Sequence, residues 1–459
     1  MNASAHSAAS STIAGTFAEL ACSLDAAALP AATLDYARRL LLDGIGCLLA
    51  GALGHPAAMA AAALRRMGAP STGASTDFVR SVAAAPRDAA FANGVALYSV
   101  GVNDIHRPAI VHPGGAIIPV LLAVGEERRS TGSELLAAMV LGYEMSARLG
   151  LATHPSHWDR GFHPTGTFNT FGAALAAGRL ARLSRDQLVC ALGIAGSQAA
   201  GLQAFHTDGT LTMVFHAGRA AQNGIEAAAL AAEGYSGPAA VFEDPRGFLR
   251  AFSDEPRVER MTEGLGRQWE LDATSFRPFY GCTLTIAASS AVEQILANPM
   301  QPSDVEEVVV RVHPDAPKVI DNVDPRTLLA ARLSMQFNVA LVLRRGSVLV
   351  GDATDLDLQD PVIRKLLPRI KVVADTSQSL WGSHVFVRLR DGAARVCQMD
   401  LPKGDPGYPM TWEDTESKFR QVTAQACTAQ GADRIVEAVR SLDAMMADSL
   451  VGLISAARR

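Results

Sequence analysis

One carboxylate, two imidazoles and a guanidinium fall within ten residues of this 459-residue chain, in Asn103-Asp104-Ile105-His106-Arg107 and the following His112-Pro113-Gly114-Gly115. Histidine titrates near neutral pH and suits general acid/base work. His112 stands just before the apolar stretch Ala116–Val124, which reads as a helix. The backbone N–H groups at a helix start can also hold an anion. A polar surface loop with capping residues has the same composition, and spacing alone does not separate the two readings.

Three further clusters carry reactive side chains. In Arg160-Gly161-Phe162-His163-Pro164-Thr165-Gly166-Thr167 a histidine again precedes a helix start, where it could simply cap. His206-Thr207-Asp208-Gly209-Thr210 is followed by Phe215-His216-Ala217-Gly218-Arg219. Arg277 lies in Phe276-Arg277-Pro278-Phe279-Tyr280-Gly281-Cys282, at a change of composition along the chain. A guanidinium there could clamp a carboxylate with two parallel hydrogen bonds, or be solvated or ion-paired. The spacing of His, Cys, Asp and Glu matches no metal site, and there is no Gly-x-Ser-x-Gly elbow, phosphate loop or Rossmann fingerprint. By elimination the expected chemistry is acid/base catalysis without a cofactor.

Helices must position most of these groups. From about Thr12 to Gly264, apolar residues recur at helical spacing, giving expected helices over Leu34–Ala52 (Thr33 as cap), Ser130–Leu149, Gly166–Leu183, Ser184–Leu202 and Ala217–Glu233. From about Asp272 to Asp400 the pattern changes. Val305–Val312 reads as a strand, and His384–Arg390, Asp391-Gly392 and Ala393–Met399 as a hairpin; Cys282–Leu296 and Met335–Leu343 read as helices. Leu401–Pro409 is a loop, and Trp412–Arg459 is helical again. The expected fold is therefore mainly α with a smaller α+β domain: an all-helical domain over 12–268, an α+β domain over 269–405, and C-terminal helices over 406–459 packing back on the first.

Bulk properties narrow the class. A net charge of −5, with 19% charged residues, argues against a nucleic-acid partner but leaves room for a cationic cleft. Six cysteines without metal or redox spacing are expected to be reduced and buried, as in the cytoplasm. Met1–Thr12 lacks the pattern of a signal peptide and is expected to be a disordered tail; no stretch reads as a membrane span. Abundant Ala and Gly suit close helix packing, though coding bias would give the same composition.

The order of several motifs resembles the MmgE/PrpD family over nearly the whole chain. They are Leu41-Leu42-Asp43-Gly44-Ile45-Gly46-Cys47, Phe91-Ala92-Asn93-Gly94, Val111-His112-Pro113, Gly142-Tyr143-Glu144, His163-Pro164-Thr165-Gly166-Thr167, Gly196-Ser197-Gln198-Ala199-Ala200-Gly201-Leu202, His216-Ala217-Gly218-Arg219, Arg277-Pro278-Phe279-Tyr280-Gly281-Cys282 and Pro402-Lys403-Gly404-Asp405-Pro406. The resemblance implies a large helical domain with an α+β lid, a homodimer, and a site in the cleft between the domains. It implies activities such as 2-methylcitrate dehydratase, cis-aconitate decarboxylase and iminodisuccinate epimerase, all on small carboxylates and without metal. The expected function is a lyase working by proton transfer; an epimerase or a catalytically silent carboxylate binder are the alternatives.

Carried over by position, the resemblance marks Asp104, His112 and His163, with Tyr143, as catalytic. It marks Arg277, His106, His216 and Met213 as substrate-binding. Departures are specific. The family loop Leu-Asp-Tyr-Asp-Asp-Thr-His is here Val100-Gly101-Val102-Asn103-Asp104-Ile105-His106. A family lysine is replaced by Met213, another by Arg277, and a tyrosine of the second domain by Phe337. Fewer cations imply a less charged substrate, and Arg277 is a poor proton donor.

Overall fold

The computed structural model describes residues 12–278, 281–346 and 353–459. The tail expected at the N-terminus and the Phe279-Tyr280 pair of the arginine motif lie outside these. The chain forms two compact units, one made of residues up to Thr274 together with Thr423–Arg459, the other of Ser275–Val422.

The first unit is built from long helices: α1 (Ala31–Gly51), α2 (Pro86–Ser99), α3 (Gly114–Arg128), α4 (Gly132–Thr153), α5 (Pro164–Leu180), α6 (Arg185–Gly196) and α7 (Thr212–Ala232). A short hairpin, Ser75–Asp77 with Val82–Ala84, and the two-residue strand Ile105–His106 interrupt its helical character. Helix α5 packs against both α4 and α7, and α7 against α2. Glycines permit this closeness. A Cβ on Gly94 of α2 would lie 2.8 Å from the Cα of Gly218 of α7, so larger residues would push the helices apart. Most helix starts follow local capping chemistry. Thr131 and Glu134 form a reciprocal capping box on α4, as do Ser184 and Gln187 on α6. Thr33 is not the cap of α1: the helix begins at Ala31, after Pro30, and Thr33 is buried in its first turn, its hydroxyl donating to Asp272 at 2.8 Å. Helix α4 is long and apolar enough to cross a membrane, but 94% of its apolar window is buried inside the protein.

The second unit holds α8 (Thr283–Ile295) and α9 (Met335–Arg345) with a four-stranded sheet: β1 (Val305–Val312), β2 (Ile370–Ala374), β3 (Ser383–Leu389) and β4 (Ala394–Met399), in the order β2-β1-β3-β4. Strand β1 pairs parallel with β2 and antiparallel with β3. Strand β2, short and mixed in composition, was not expected from the sequence. The β3–β4 hairpin turns at Asp391-Gly392, where Gly392 takes φ +88° and Asp391 accepts the Ala393 N–H at 2.9 Å. Val305, Val308, Val310 and Val312 bury one face against α8, α9 and their neighbours, Phe337 among them. The Arg277 segment and the Pro402–Asp405 loop meet in this unit, with the Phe276 N–H donating to the Gly404 carbonyl at 2.8 Å.

Two C-terminal helices, α10 (Ala429–Arg440) and α11 (Ala447–Ala457), belong to the first unit. Residues 406–422 group with the second. All six cysteines are free thiols, but only Cys47 and Cys427 are buried and Cys22 is exposed, correcting the expectation that all are buried.

Candidate active site

The loop ahead of α3 folds back on itself. His112 Nδ1 lies 2.6 Å from the backbone carbonyl of Asp104. A carbonyl only accepts, so Nδ1 carries the proton and Nε2 holds the lone pair or a second proton. The Asp104 carboxylate accepts the Gly114 N–H at 3.0 Å, taking the anion position at the start of α3. The hydroxyl of Tyr143, from the middle of α4, lies beside the same carboxylate. A Cβ on Gly114 would sit 2.6 Å from Asp104 Oδ1 and 2.8 Å from the Tyr143 hydroxyl. Burial first, and then the Asp104 charge, hold the Tyr143 phenol well above its usual range, so it stays protonated. Asp43, buried on α1, adds to that effect.

His163 occupies the N-cap position of α5 and is 5% exposed. Its backbone N–H donates to Gly201 at 3.0 Å, and its carbonyl accepts from Gly166 and Thr167. Its ring Nδ1 lies 2.9 Å from Nδ1 of His216, on α7. Burial, then the neighbouring imidazoles of His216 and His112, hold His163 well below the usual histidine range. Burial likewise lowers His216 to about 4. Both are neutral at physiological pH.

Tyr98, two helical turns beyond Phe91 on α2, ties the two halves together. Its buried ring meets His112 edge-on, with centroids 5.2 Å apart, and lies 6.3 Å from His163. Asn169, one turn into α5, donates to the His112 carbonyl at 2.8 Å. Phe205 packs edge-on against His163 at 4.9 Å. Met213 is half-buried against the cluster of Phe91, Val95, Tyr98 and Ala217. The site around the imidazoles is thus walled by aromatic and apolar groups.

The structure therefore brings together Asp104, Tyr143, His112, His163 and His216, with Met213 on the adjoining apolar wall. His106 is engaged elsewhere. Its Nδ1 accepts the Ala109 N–H at 3.2 Å, so Nε2 is the donor to Glu270 at 3.1 Å. Arg277 is 2% exposed and belongs to the second unit. Tyr98 and Asn169 were not singled out from the sequence. Asn169, set among Thr165, Thr167 and Thr170, had no distinguishing signal; Tyr98 had none beyond sharing a helix face with Phe91. Glu144, next to Tyr143, serves the frame instead: buried with Arg148 at 2.8 Å, it accepts the N–H of Leu271, while Arg148 donates to the carbonyls of Glu263 and Gln268. Among the described residues, no group of three His, Cys, Asp or Glu side chains is placed to hold a metal ion.

Two family models match the chain in succession. The MmgE/PrpD N-terminal domain matches residues 15–261, and the MmgE/PrpD C-terminal domain matches residues 281–444. The chain is 30% identical to a cis-aconitate decarboxylase of Mus musculus, over 78% of this chain and 76% of that one. It is 29% identical to the cis-aconitate decarboxylase of Homo sapiens, over 78% and 77%. It is 28% identical to the cis-aconitate decarboxylase-like protein oryM of Aspergillus oryzae, over 93% and 94%.

Proposed function

Since the chain belongs to the MmgE/PrpD family, we propose that it is a lyase that decarboxylates a small di- or tricarboxylate, with His112 and His163 flanking the reacting carbon. The broad class, a lyase of the decarboxylase or dehydratase type, follows from the family and from relatives named as cis-aconitate decarboxylases. The finer reading rests on one observation above all: two imidazoles from separate helix entries share the ring of Tyr98 in an apolar setting.

Loss of CO2 leaves the bonding electron pair on carbon, and the reaction is feasible where that pair spreads onto an adjacent double bond or a retained carboxylate. His112, protonated on Nε2 with its Nδ1–H held by Asp104, is the donor to that carboxylate's oxygen. The Nε2–H of His163 gives its proton to the carbon, and a proton from water replaces it, so that one solvent proton is consumed per CO2 released. An apolar wall favours the neutral product over the carboxylate that is lost. Asp104 and Tyr143 hold the loop rather than meet the substrate. Arg277 is kept in this reading as the carboxylate-binding cation the resemblance assigns. Met213, in place of a lysine, favours a substrate with fewer charges.

A set of small carboxylates incubated with the enzyme in heavy water tests this. Decarboxylation gives CO2 and a product with one deuterium on carbon. Alkene without CO2 would mean dehydration, and exchange without net reaction would mean epimerisation.

A further inference from the structure

The contact between His163 and His216 has a chemical consequence that neither residue has alone. Two Nδ1 atoms 2.9 Å apart hold one hydrogen between them. With both rings neutral, their tautomers are then opposite. If His216 carries the shared proton, His163 has its hydrogen on Nε2 and His216 has a lone pair on Nε2. If the shared proton shifts to His163, the positions reverse. Neither Nε2 has a hydrogen-bond partner within the protein among the described residues, so both are available to other molecules. His163 is nearly enclosed, whereas His216 is half-exposed on α7. The remaining ionisable groups that act on His163 are also imidazoles, those of His112, His206 and His157. No carboxylate is among them to capture the proton on its way.

We propose that His216 is a positioning residue that relays protons between solvent and His163. The step balances without an imidazolium. His163 Nε2–H goes to the substrate carbon, the shared hydrogen moves from His216 Nδ1 to His163 Nδ1, and water supplies a proton to His216 Nε2. The resting state returns after product leaves: water entering the emptied site protonates His163 Nε2, the shared hydrogen moves back to His216 Nδ1, and His216 Nε2 returns its proton to solvent. This explains how a histidine held neutral by burial can still deliver a proton: its neighbour supplies one as it gives one up. The inference rests on the lyase reading for its purpose, but the pairing is a property of the resting protein.

The test uses full-length protein with 15N-labelled histidine. In the wild type, NMR is expected to show His163 and His216 with opposite tautomers and a through-hydrogen-bond nitrogen–nitrogen coupling. In His216→Ala that coupling disappears. Turnover of a carboxylate substrate is expected to fall about tenfold or more in kcat, with KM within about twofold, and added imidazole should restore much of the lost rate. His216→Phe, which fills the space without a relay nitrogen, should lose the rate and resist rescue. Identical tautomers with no coupling, or an unchanged kcat in His216→Ala, would overturn the relay. A wild-type enzyme inactive on every carboxylate would remove the lyase reading, while the coupling would still decide the pairing.

Discussion

His112 Nδ1 donates to the main-chain carbonyl of Asp104, 2.6 Å away and eight residues earlier. The same aspartate's carboxylate receives the Gly114 N–H. One residue thereby fixes both the tautomer of His112 and the entry angle of α3. In this arrangement the reactive nitrogen of His112 is decided by backbone geometry.

Removing the imidazole should therefore remove chemistry and spare the fold. His112→Ala is expected to lower kcat by about 10²–10⁴-fold, the usual range for a proton-handling side chain. Circular dichroism and melting temperature should stay near wild type, because His112 is only partly buried. Steady-state kinetics with a carboxylate substrate checks this.

Gly114→Ala should act on the site from behind. Its Cβ would overlap Asp104 Oδ1 and the Tyr143 hydroxyl, so the loop must shift. The expected cost is about 1–3 kcal/mol of stability, typical of overpacking, with a fall in kcat larger than that of a surface Gly→Ala control such as Gly452→Ala, where a Cβ meets nothing. Urea denaturation and kinetics of the two variants give the comparison.

The helix framework is legible in the sequence because its apolar periodicity and caps are local, as at Thr131 and Ser184. Strand Val305–Val312 is legible for the same reason, its valines alternating with charges. Strand Ile370–Ala374 is not, since its place beside β1 comes from tertiary pairing. The histidines were visible by type and by position before helix starts. That His163 would meet His216, that His106 would turn to Glu270, and that Tyr98 would lie against two imidazoles depend on how α2, α5 and α7 cross. No single segment encodes that crossing.

The buried pair His154 and His157, beside the site-forming helices, predicts an acid-sensitive fold. Burial lowers His154 to about 4 and His157 to about 2, while both titrate near 6.5 when unfolded. Between those values the unfolded chain binds more protons. Their contribution is complete above pH 6.5 and is lost as pH falls, down to about 4 for His154 and about 2 for His157, at up to about 1.4 kcal/mol per pH unit for each histidine. Urea midpoints should drop between pH 7 and 5. In His157→Gln, less stable at pH 7 for want of packing against Phe162 and Phe168, the drop should be shallower.

Breaking the frame should be costly. Glu144→Ala leaves Arg148 buried and without its carboxylate, and removes the acceptor of the Leu271 N–H. A loss of about 3–5 kcal/mol is expected. Replacing both residues, as Glu144→Leu with Arg148→Met, should cost less than the sum of the single changes, which a double-mutant cycle in urea would show.

Met213→Lys tests the apolar wall. An ammonium introduced beside Tyr98 and Phe91 should lower KM for a tricarboxylate relative to a dicarboxylate by several-fold. Competition kinetics with paired substrates reads the ratio directly.

The most direct measurement follows carbon and hydrogen together. Wild type, His112→Ala and His163→Ala are each given small di- and tricarboxylates in heavy water, with CO2 release and proton NMR recorded. The expected result is CO2 with one deuterium placed on the product carbon by the wild type, and neither at a comparable rate in the two variants. CO2 release continuing at the wild-type rate in either variant would contradict the account.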